Sequence, residues 1–497
     1  MHSKAAILKV FLWGSFISLM GSILIGVMNY LIRRCLVSQF SFAEYGFLYS
    51  VFSLLTILLA VIDLGMTQAG TILIAQNRTR KRPLRANSIY SFILLVKTSF
   101  GAIVYLALAL LSSFLMVHCY KEYPAGQGAF LIVALLLIFQ SAETVCMSGM
   151  DSAKAFGVKN LIQSAKILLI FAGVLLFSAR YGLAFTAGLF PVCALISFVA
   201  AYIILARKFG LKFVPKMTFN ARTFEHTWDL GRWTAVGLVG MTLVSNMDQQ
   251  LLTWLSTLEK VGIYNVALPI AQIMQSLIIL PVVFIPIVSE LWQHGRKEEI
   301  AKLTELISAV LFILLWATMI TTLPLAKTII LLFWGKQVPE AEMALTILCT
   351  GTIFFASAGF YIGALSSCGA ARQGAAIIMG GAMVNIVCNA ILIPLWNING
   401  AATATALSYL LIGLTSYFVL RGRIHMHIPS KTVLQIAVAG LAVTAAAVWL
   451  HSRNFGMPVT IAGTLLLDAL LVLLLAPVWL KITRELIHFY QDKNKAV

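Results

Sequence analysis

The chain has 497 residues, 60% of them hydrophobic and only 11% charged, with a net charge of +18. A soluble domain carries roughly 25% charged residues. This composition therefore excludes a water-soluble fold and predicts a polytopic membrane protein. A membrane-crossing helix needs about 20 apolar residues, and backbone groups in lipid must be hydrogen-bonded internally. The apolar runs show no period-2 alternation, so the spans are helices and not barrel strands.

Taken in chain order, the pattern predicts 14 spans over residues 10–33, 45–76, 88–117, 128–149, 160–179, 183–206, 231–254, 264–289, 304–323, 342–366, 374–396, 400–420, 432–450 and 458–480. The first span has no small-residue cleavage site behind a short apolar core, so it is expected to be a retained helix and not a signal peptide. Lys and Arg concentrate on one side of the predicted layout. Of the 36, 26 fall in "RTRKRPLR" (78–85), "RKFGLKFVPKMTFNAR" (207–222), "GRKEEIAK" (295–302), the tail from Lys481 and the other connections of that side. The excess of basic residues on the cytoplasmic side of membrane proteins places these connections, and both termini, in the cytoplasm. The net charge is mostly this effect. Attraction to anionic headgroups accounts for it, and nucleic-acid binding is not expected. The seven cysteines show no metal-ligand spacing. Cys35 and Cys119 fall on the outer side, where a disulfide and two free thiols both stand as readings.

The chain also repeats itself. Gly46 in "AEYGFLYSVFSL" matches Gly262 in "EKVGIYNVALPI", 216 residues on, and Gly182 in "YGLAFTAG" matches Gly400 in "NGAATATA", 218 on. Gly14 and Gly231, like Asn29 and Asn246, are 217 apart. Spans 1–6 and 7–12 thus read as two copies in parallel repeat, a transporter pattern with its site at the repeat interface. The expected organisation is an N-lobe over 1–206, a basic linker over 207–230 with a short interfacial helix near Pro215, a C-lobe over 231–421, and two further helices with a tail over 422–497.

Three segments carry a family resemblance: "FAEYGFLYSVFSLLTILLAVIDLGMTQAG", "MDQQLLTWLSTLEKVGIYNVALPIAQ" and "NAILIPLWNINGAATATALSYLL". They resemble the span 2 segment and the 7–8 and 11–12 hairpins of the Wzx-type O-antigen and exopolysaccharide flippases, in the multidrug/oligosaccharidyl-lipid/polysaccharide exporter superfamily. The resemblance covers nearly the whole chain. It implies an all-α, V-shaped, two-lobed fold with alternating access. It also implies export of an undecaprenyl-pyrophosphate-linked oligosaccharide across a bacterial inner membrane, with a polysaccharide polymerase machinery as a further partner. One departure is that Gln249 and Gln250 follow Asp248, where many relatives have Arg after the Asp.

Such a substrate asks for cations facing the pyrophosphate and for amides or hydroxyls facing the sugars. Arg33 and Arg34 end span 1, with Asn29 and Tyr30 four residues earlier on the same faces. Guanidinium suits bidentate phosphate contact, so Arg33 and Arg34 are phosphate candidates and Asn29 a glycan candidate. An ordinary interfacial arginine pair is the plain alternative. Their repeat equivalents are Gln250 and Leu251, which makes only the N-lobe cationic here. Lys97 lies about nine residues into span 3 and is a phosphate candidate, against a pair with Asp63 or a snorkelling stem. Lys166 is a weaker phosphate candidate, with Glu143 at similar depth as a structural partner.

Asp63 has three readings: partner of Lys97, protonatable coupling group, or fold determinant before Gly65. Asn246, Asp248 and Gln249 are glycan or coupling candidates, against the alternative of helix–helix hydrogen bonding. Asp468 in span 14 lies outside the pathway. Pro269, Pro281 and Pro286 make span 8 a hinge candidate, since proline kinks a helix.

No Walker loop, metal motif or nucleophile motif occurs. No enzyme activity and no cofactor are expected, and energy would come from an H+ or Na+ gradient or from downstream consumption of the product. A lipid II flippase and a small-cation drug exporter are the alternatives within the superfamily. A membrane sugar polymerase or ligase is the remote one, since the longest outer connection, about 324–341, holds only Lys327 and Lys336.

Overall fold

Residues 21, 24–214, 221–277, 280–335, 338–424, 430–453 and 457–475 are described in a computed structural model of the chain. Gly14, Pro215, Lys336 and the tail from Lys481 lie outside them. Helices account for nearly all of the described residues, and no strand occurs among them. In chain order they are α1 (24–39), α2 (Phe42–Asp63), α3 (Met66–Thr79), α4 (Pro83–His118), α5 (Gln127–Ala134), α6 (Leu136–Ser152), α7 (Phe156–Phe209), α8 (Ala221–Leu255), α9 (Leu258–Leu277), α10 (Leu280–Gln293), α11 (Lys297–Trp334), α12 (Glu340–Ser367), α13 (Ala371–Ile424), α14 (Ser430–Ser452) and α15 (Met457–Leu474). Seven segments among the described residues are long and apolar enough to cross a bilayer, and the chain is a multi-pass membrane protein.

Local chemistry sets the ends of these helices. Ser41 caps α2 in a capping box: the Glu44 N–H donates to Ser41 Oγ at 3.3 Å, and the Ser41 N–H donates to Glu44 Oε2 at 3.0 Å. This satisfies two of the donors that a helix start leaves open. Pro83 opens α4, where its missing N–H costs nothing. Gly210 and Gly335 close α7 and α11 in the left-handed conformation.

α7 and α13 are each 54 residues long. At about 1.5 Å per residue either would run far beyond a bilayer if straight. Each has one non-helical residue inside, Gly182 (φ 74°) in α7 and Asn397 (φ 49°) in α13. There the chain turns back, because Leu189 comes into contact range of Gly173 and the Leu392 carbonyl into contact range of Gly400. Each long helix is thus a hairpin of two spans.

The series α2, α3, α4, α6, α7 recurs as α9, α10, α11, α12, α13. The two breaks stand 215 residues apart. The second break falls on Asn397, within the 397–399 gap expected between spans 374–396 and 400–420. Gly400 serves another purpose: a Cβ there would lie 2.1 Å from the Leu392 carbonyl oxygen. Asparagine is the residue after glycine that best tolerates positive φ.

Packing divides the chain into two compact units, Met1–Asn265 and Val266–Val497. The first therefore contains α8 and the start of α9. Its core gathers Tyr90, Phe92, Ile93, Met150 and Leu205 from α4, α6 and α7. In the second unit one core joins α10–α13 through Leu303, Phe360 and Leu420. Another packs α14 and α15 on α11 through Ile320, Val443 and Leu471. Cys35 and Cys119 are free thiols.

Candidate functional site

Asp63 is the last residue of α2. The chain then passes through Leu64 (φ 46°) and Gly65 (φ 70°), both left-handed, before α3 begins. This break turns the carboxylate toward α4 and α6. The Lys97 ammonium lies 2.5 Å from Asp63 Oδ1, 2.8 Å from Thr67 Oγ1 and 2.9 Å from Thr144 Oγ1. An ammonium has three protons, and all three have acceptors here. Thr67 also donates its hydroxyl to Asp63 Oδ1. Ser148 donates to the Thr67 carbonyl at 3.0 Å, which fixes α6 to α3. Lys97 is only 2% exposed and Asp63 7%. In this arrangement Lys97 has no proton left over for a phosphate.

Glu143 and Lys166 form a second pair. Lys166 Nζ lies 2.8 and 2.9 Å from the two Glu143 oxygens, and Ser197 Oγ donates to Glu143 Oε1 at 2.7 Å. This pair joins α6 to both arms of the α7 hairpin. Glu143 is buried, while the Lys166 side chain keeps 22% exposure.

A third group spans α1, α2, α8 and the start of α9. α2 and α8 run antiparallel, as their contacts show. Ser50 bonds Thr253 at 2.6 Å and accepts Gln250 Nε2 at its carbonyl at 2.5 Å, while Ser53 Oγ donates to the Asn246 carbonyl at 2.7 Å. Glycines let the backbones touch at both ends. A Cβ on Gly46 would lie 1.9 Å from the Leu258 carbonyl oxygen, and one on Gly65 would lie 2.2 Å from that of Gly231.

Near the Gly46 end, Arg33 stacks on the Tyr49 ring at 4.3 Å and donates to Asn265 Oδ1 at 3.3 Å. Asn265 Nδ2 in turn donates to Gln249 Oε1 at 3.0 Å. Asp248 is fully buried and accepts the Tyr264 hydroxyl. Asn246 bonds its own helix, Nδ2 donating to the Thr242 carbonyl at 3.0 Å. Asn29 and Arg34 are exposed, and Arg33 is half-buried.

Pro269 lies buried inside α9. Its missing N–H leaves the Asn265 carbonyl without a helical donor, and the Tyr45 hydroxyl donates to that oxygen at 3.2 Å. Pro281 and Pro286 both lie in α10.

In the second unit, buried Asn389 donates to Asn385 Oδ1 at 3.0 Å, and Asn385 reaches Thr405 at 3.5 Å. A cavity of about 350 Å³ lies between α11, α12 and α13, with Phe312, Tyr361, Tyr409 and Tyr417 in its wall. Thr321 donates to Asp468 at 2.7 Å, which ties α11 to α15.

Sequence reading anticipated the charged members of these groups. It missed Thr67, Thr144, Ser197, Tyr45, Tyr49, Asn265, Asn385 and Asn389. The one available signal was Asn265, four residues before Pro269. Hydroxyls and amides are otherwise common in membrane helices and carry no periodic signature.

These features define an all-helical membrane protein with buried, fully partnered charges inside its first unit. The fold is shared with transport proteins. A structure described as "Lipid II flippase MurJ, inward closed conformation" matches with a TM-score of 0.72 and 16% identity, covering 96% of this chain and 100% of that one. An inward-facing multidrug resistance MATE family transporter matches with a TM-score of 0.62 and 11% identity, over 80% and 94%. A Vibrio cholerae MATE transporter, VcmN, matches with a TM-score of 0.60 and 13% identity, over 88% and 100%. In sequence, the chain is 22% identical over 430 residues to an uncharacterized membrane protein of Methanocaldococcus jannaschii, covering 82% of this chain and 84% of the relative. Residues 11–292 match the family described as "Polysaccharide biosynthesis protein", and the chain belongs to that family.

Proposed function

We propose that this protein is a flippase that moves an undecaprenyl-pyrophosphate-linked oligosaccharide, an O-antigen or exopolysaccharide unit, from the cytoplasmic to the outer leaflet by alternating access. The observation that carries this reading is the family membership across residues 11–292 in a chain that has the fold of flippases and exporters. On this reading the protein sits in a bacterial inner membrane, with both termini in the cytoplasm and no enzymatic step of its own. The moving parts are the lobes 1–206 and 231–421, joined by the linker 207–230, with residues 422–497 as an accessory. Pro269, Pro281 and Pro286 supply the hinge.

Arg33 and Arg34 are assigned to the pyrophosphate and Asn29, Asn246 and Gln249 to the glycan. The half-exposed guanidinium of Arg33 on Tyr49 supports this assignment. Lys97 and Lys166 are held by carboxylates. A proton delivered to Asp63 releases the Lys97 ammonium for the phosphate, which couples transport to an H+ gradient. Asp248 on α8 is a second coupling group, with Na+ as the alternative ion. The polysaccharide polymerase machinery receives the product.

The test is translocation of a short-chain polyprenyl-pyrophosphate oligosaccharide in proteoliposomes. Transport by the wild type that falls at least about tenfold in Arg33→Gln/Arg34→Gln is expected, the loss of a charge-assisted contact being worth that much. A wild type that moves no glycolipid but exports an organic cation overturns the reading in favour of a drug exporter. Movement of lipid II alone reassigns the substrate.

A further inference from the structure

A cavity of about 420 Å³ opens in the first unit where the α3–α4 connection meets the end of α7. It is bounded by Arg78, Lys81, Pro83, Ala86, Asn87, Phe209, Gly210 and Leu211. Arg78 is half-buried and held in place, one of its guanidinium nitrogens donating to the Phe209 carbonyl at 2.8 Å. That bond fixes the fork and leaves its remaining N–H groups for another acceptor. Lys81 also lines it and is exposed, and Arg80, Arg82, Arg85, Arg207, Lys208 and Lys212 lie on the same two segments of the chain.

The sequence holds no Asp or Glu between Asp63 and Glu122, nor between Asp151 and Glu225. None of these eight cations makes an ion pair among the described residues. A basic loop that only sets topology needs cationic residues near the lipid. It needs neither a concave site nor a guanidinium clamped at its wall.

We propose that this cavity binds the phosphate of a lipid headgroup, with Arg78 as the oriented donor and Lys81 as the mobile counter-charge. The ligand chemistry is an anionic phosphate on an apolar tail at the membrane surface. Two sources carry it: a bulk anionic phospholipid, and a polyprenyl pyrophosphate. The inference rests on the multi-pass membrane reading and not on transport, so a failed translocation assay leaves it standing and the reverse also holds.

The test uses the purified full chain in detergent and counts bound ligand by native mass spectrometry. The probes are phosphatidylglycerol, farnesyl pyrophosphate and the phosphate-free lipid diacylglycerol. Arg78→Gln/Lys81→Gln is compared with Lys302→Gln/Arg421→Gln, which removes the same charge from exposed positions of the other unit. The expected result is saturable binding of a phosphate probe, weakened about tenfold in the first variant and unchanged in the second, as loss of an oriented charge-assisted contact requires. Arg78→Lys and Lys81→Gln alone guard against loss of the α7 cap, since both keep the fold if Arg78→Gln does not, and each still weakens the probe. Preference for farnesyl pyrophosphate assigns the site to a pyrophosphate lipid, and equal binding assigns it to bulk phospholipid. Equal weakening in both double variants, or diacylglycerol binding as well as the phosphate probes, overturns the proposal.

Discussion

The hydroxyl of Tyr45 on α2 stands in for a missing helical hydrogen bond: it donates at 3.2 Å to the carbonyl of Asn265, the oxygen that Pro269 leaves without a donor. Both residues are buried. Tyr45→Phe leaves that carbonyl unsatisfied and should cost about 1–3 kcal/mol. In a Pro269→Ala background the helix regains its own donor, so the cost of Tyr45→Phe should shrink. A double-mutant cycle in thermal or denaturant unfolding reads the difference. Equal costs in both backgrounds would show that Tyr45 acts through packing alone.

Lys97 and Asp63 should respond to substitution as a unit. Lys97→Ala leaves a buried carboxylate, and Asp63→Ala leaves a buried ammonium; each should cost about 3–5 kcal/mol. Lys97→Met/Asp63→Leu removes both charges and should be closer to wild type than either single change. Unfolding of the detergent-purified variants checks the order. Additive losses in the double variant would mean that the charges do not interact.

The α2–α8–α9 seam depends on glycine at a few positions. Gly46→Ala puts a methyl group 1.9 Å from the Leu258 carbonyl oxygen, a backbone atom that cannot swing away. A loss of at least about 1–3 kcal/mol is expected, as for other overpacked contacts. Gly26→Ala, where nothing lies within 4 Å, is the control and should be near neutral. Yield of monodisperse protein and its unfolding temperature distinguish the two.

The two hairpin breaks should tolerate different residues. Gly182→Ala meets no atom within 4 Å, so its cost is backbone strain alone, about 1–3 kcal/mol at φ 74° and ψ −170°, a region nearly reserved for glycine. Asn397→Gly removes the strain of a non-glycine residue at φ 49° and should cost less than Gly182→Ala. Gly400→Ala clashes with the Leu392 carbonyl and should be the worst of the three. Unfolding temperatures in one detergent rank them; a Gly400→Ala protein as stable as wild type would remove the close approach as the reason for that glycine.

Sequence alone determined what depends on local composition and on the solvent. With 11% charged residues the helices must sit in lipid. The hairpin entries and the repeat were legible because glycine and helix-capping residues act within a few positions of themselves. A pair between Asp63 and Lys97, and one between Glu143 and Lys166, could be read as options because few charges share each depth and each needs a partner in a low dielectric.

Tertiary structure decided the rest. It supplied Thr67, Thr144 and Ser197 as the remaining acceptors and donors of those pairs, and grouped α8 with the N-terminal helices. It also brought Arg78 to the end of α7, 131 residues further along the chain. Each of these depends on where two distant helices cross. A crossing is set by the summed packing of many side chains, and no single stretch of sequence carries that sum.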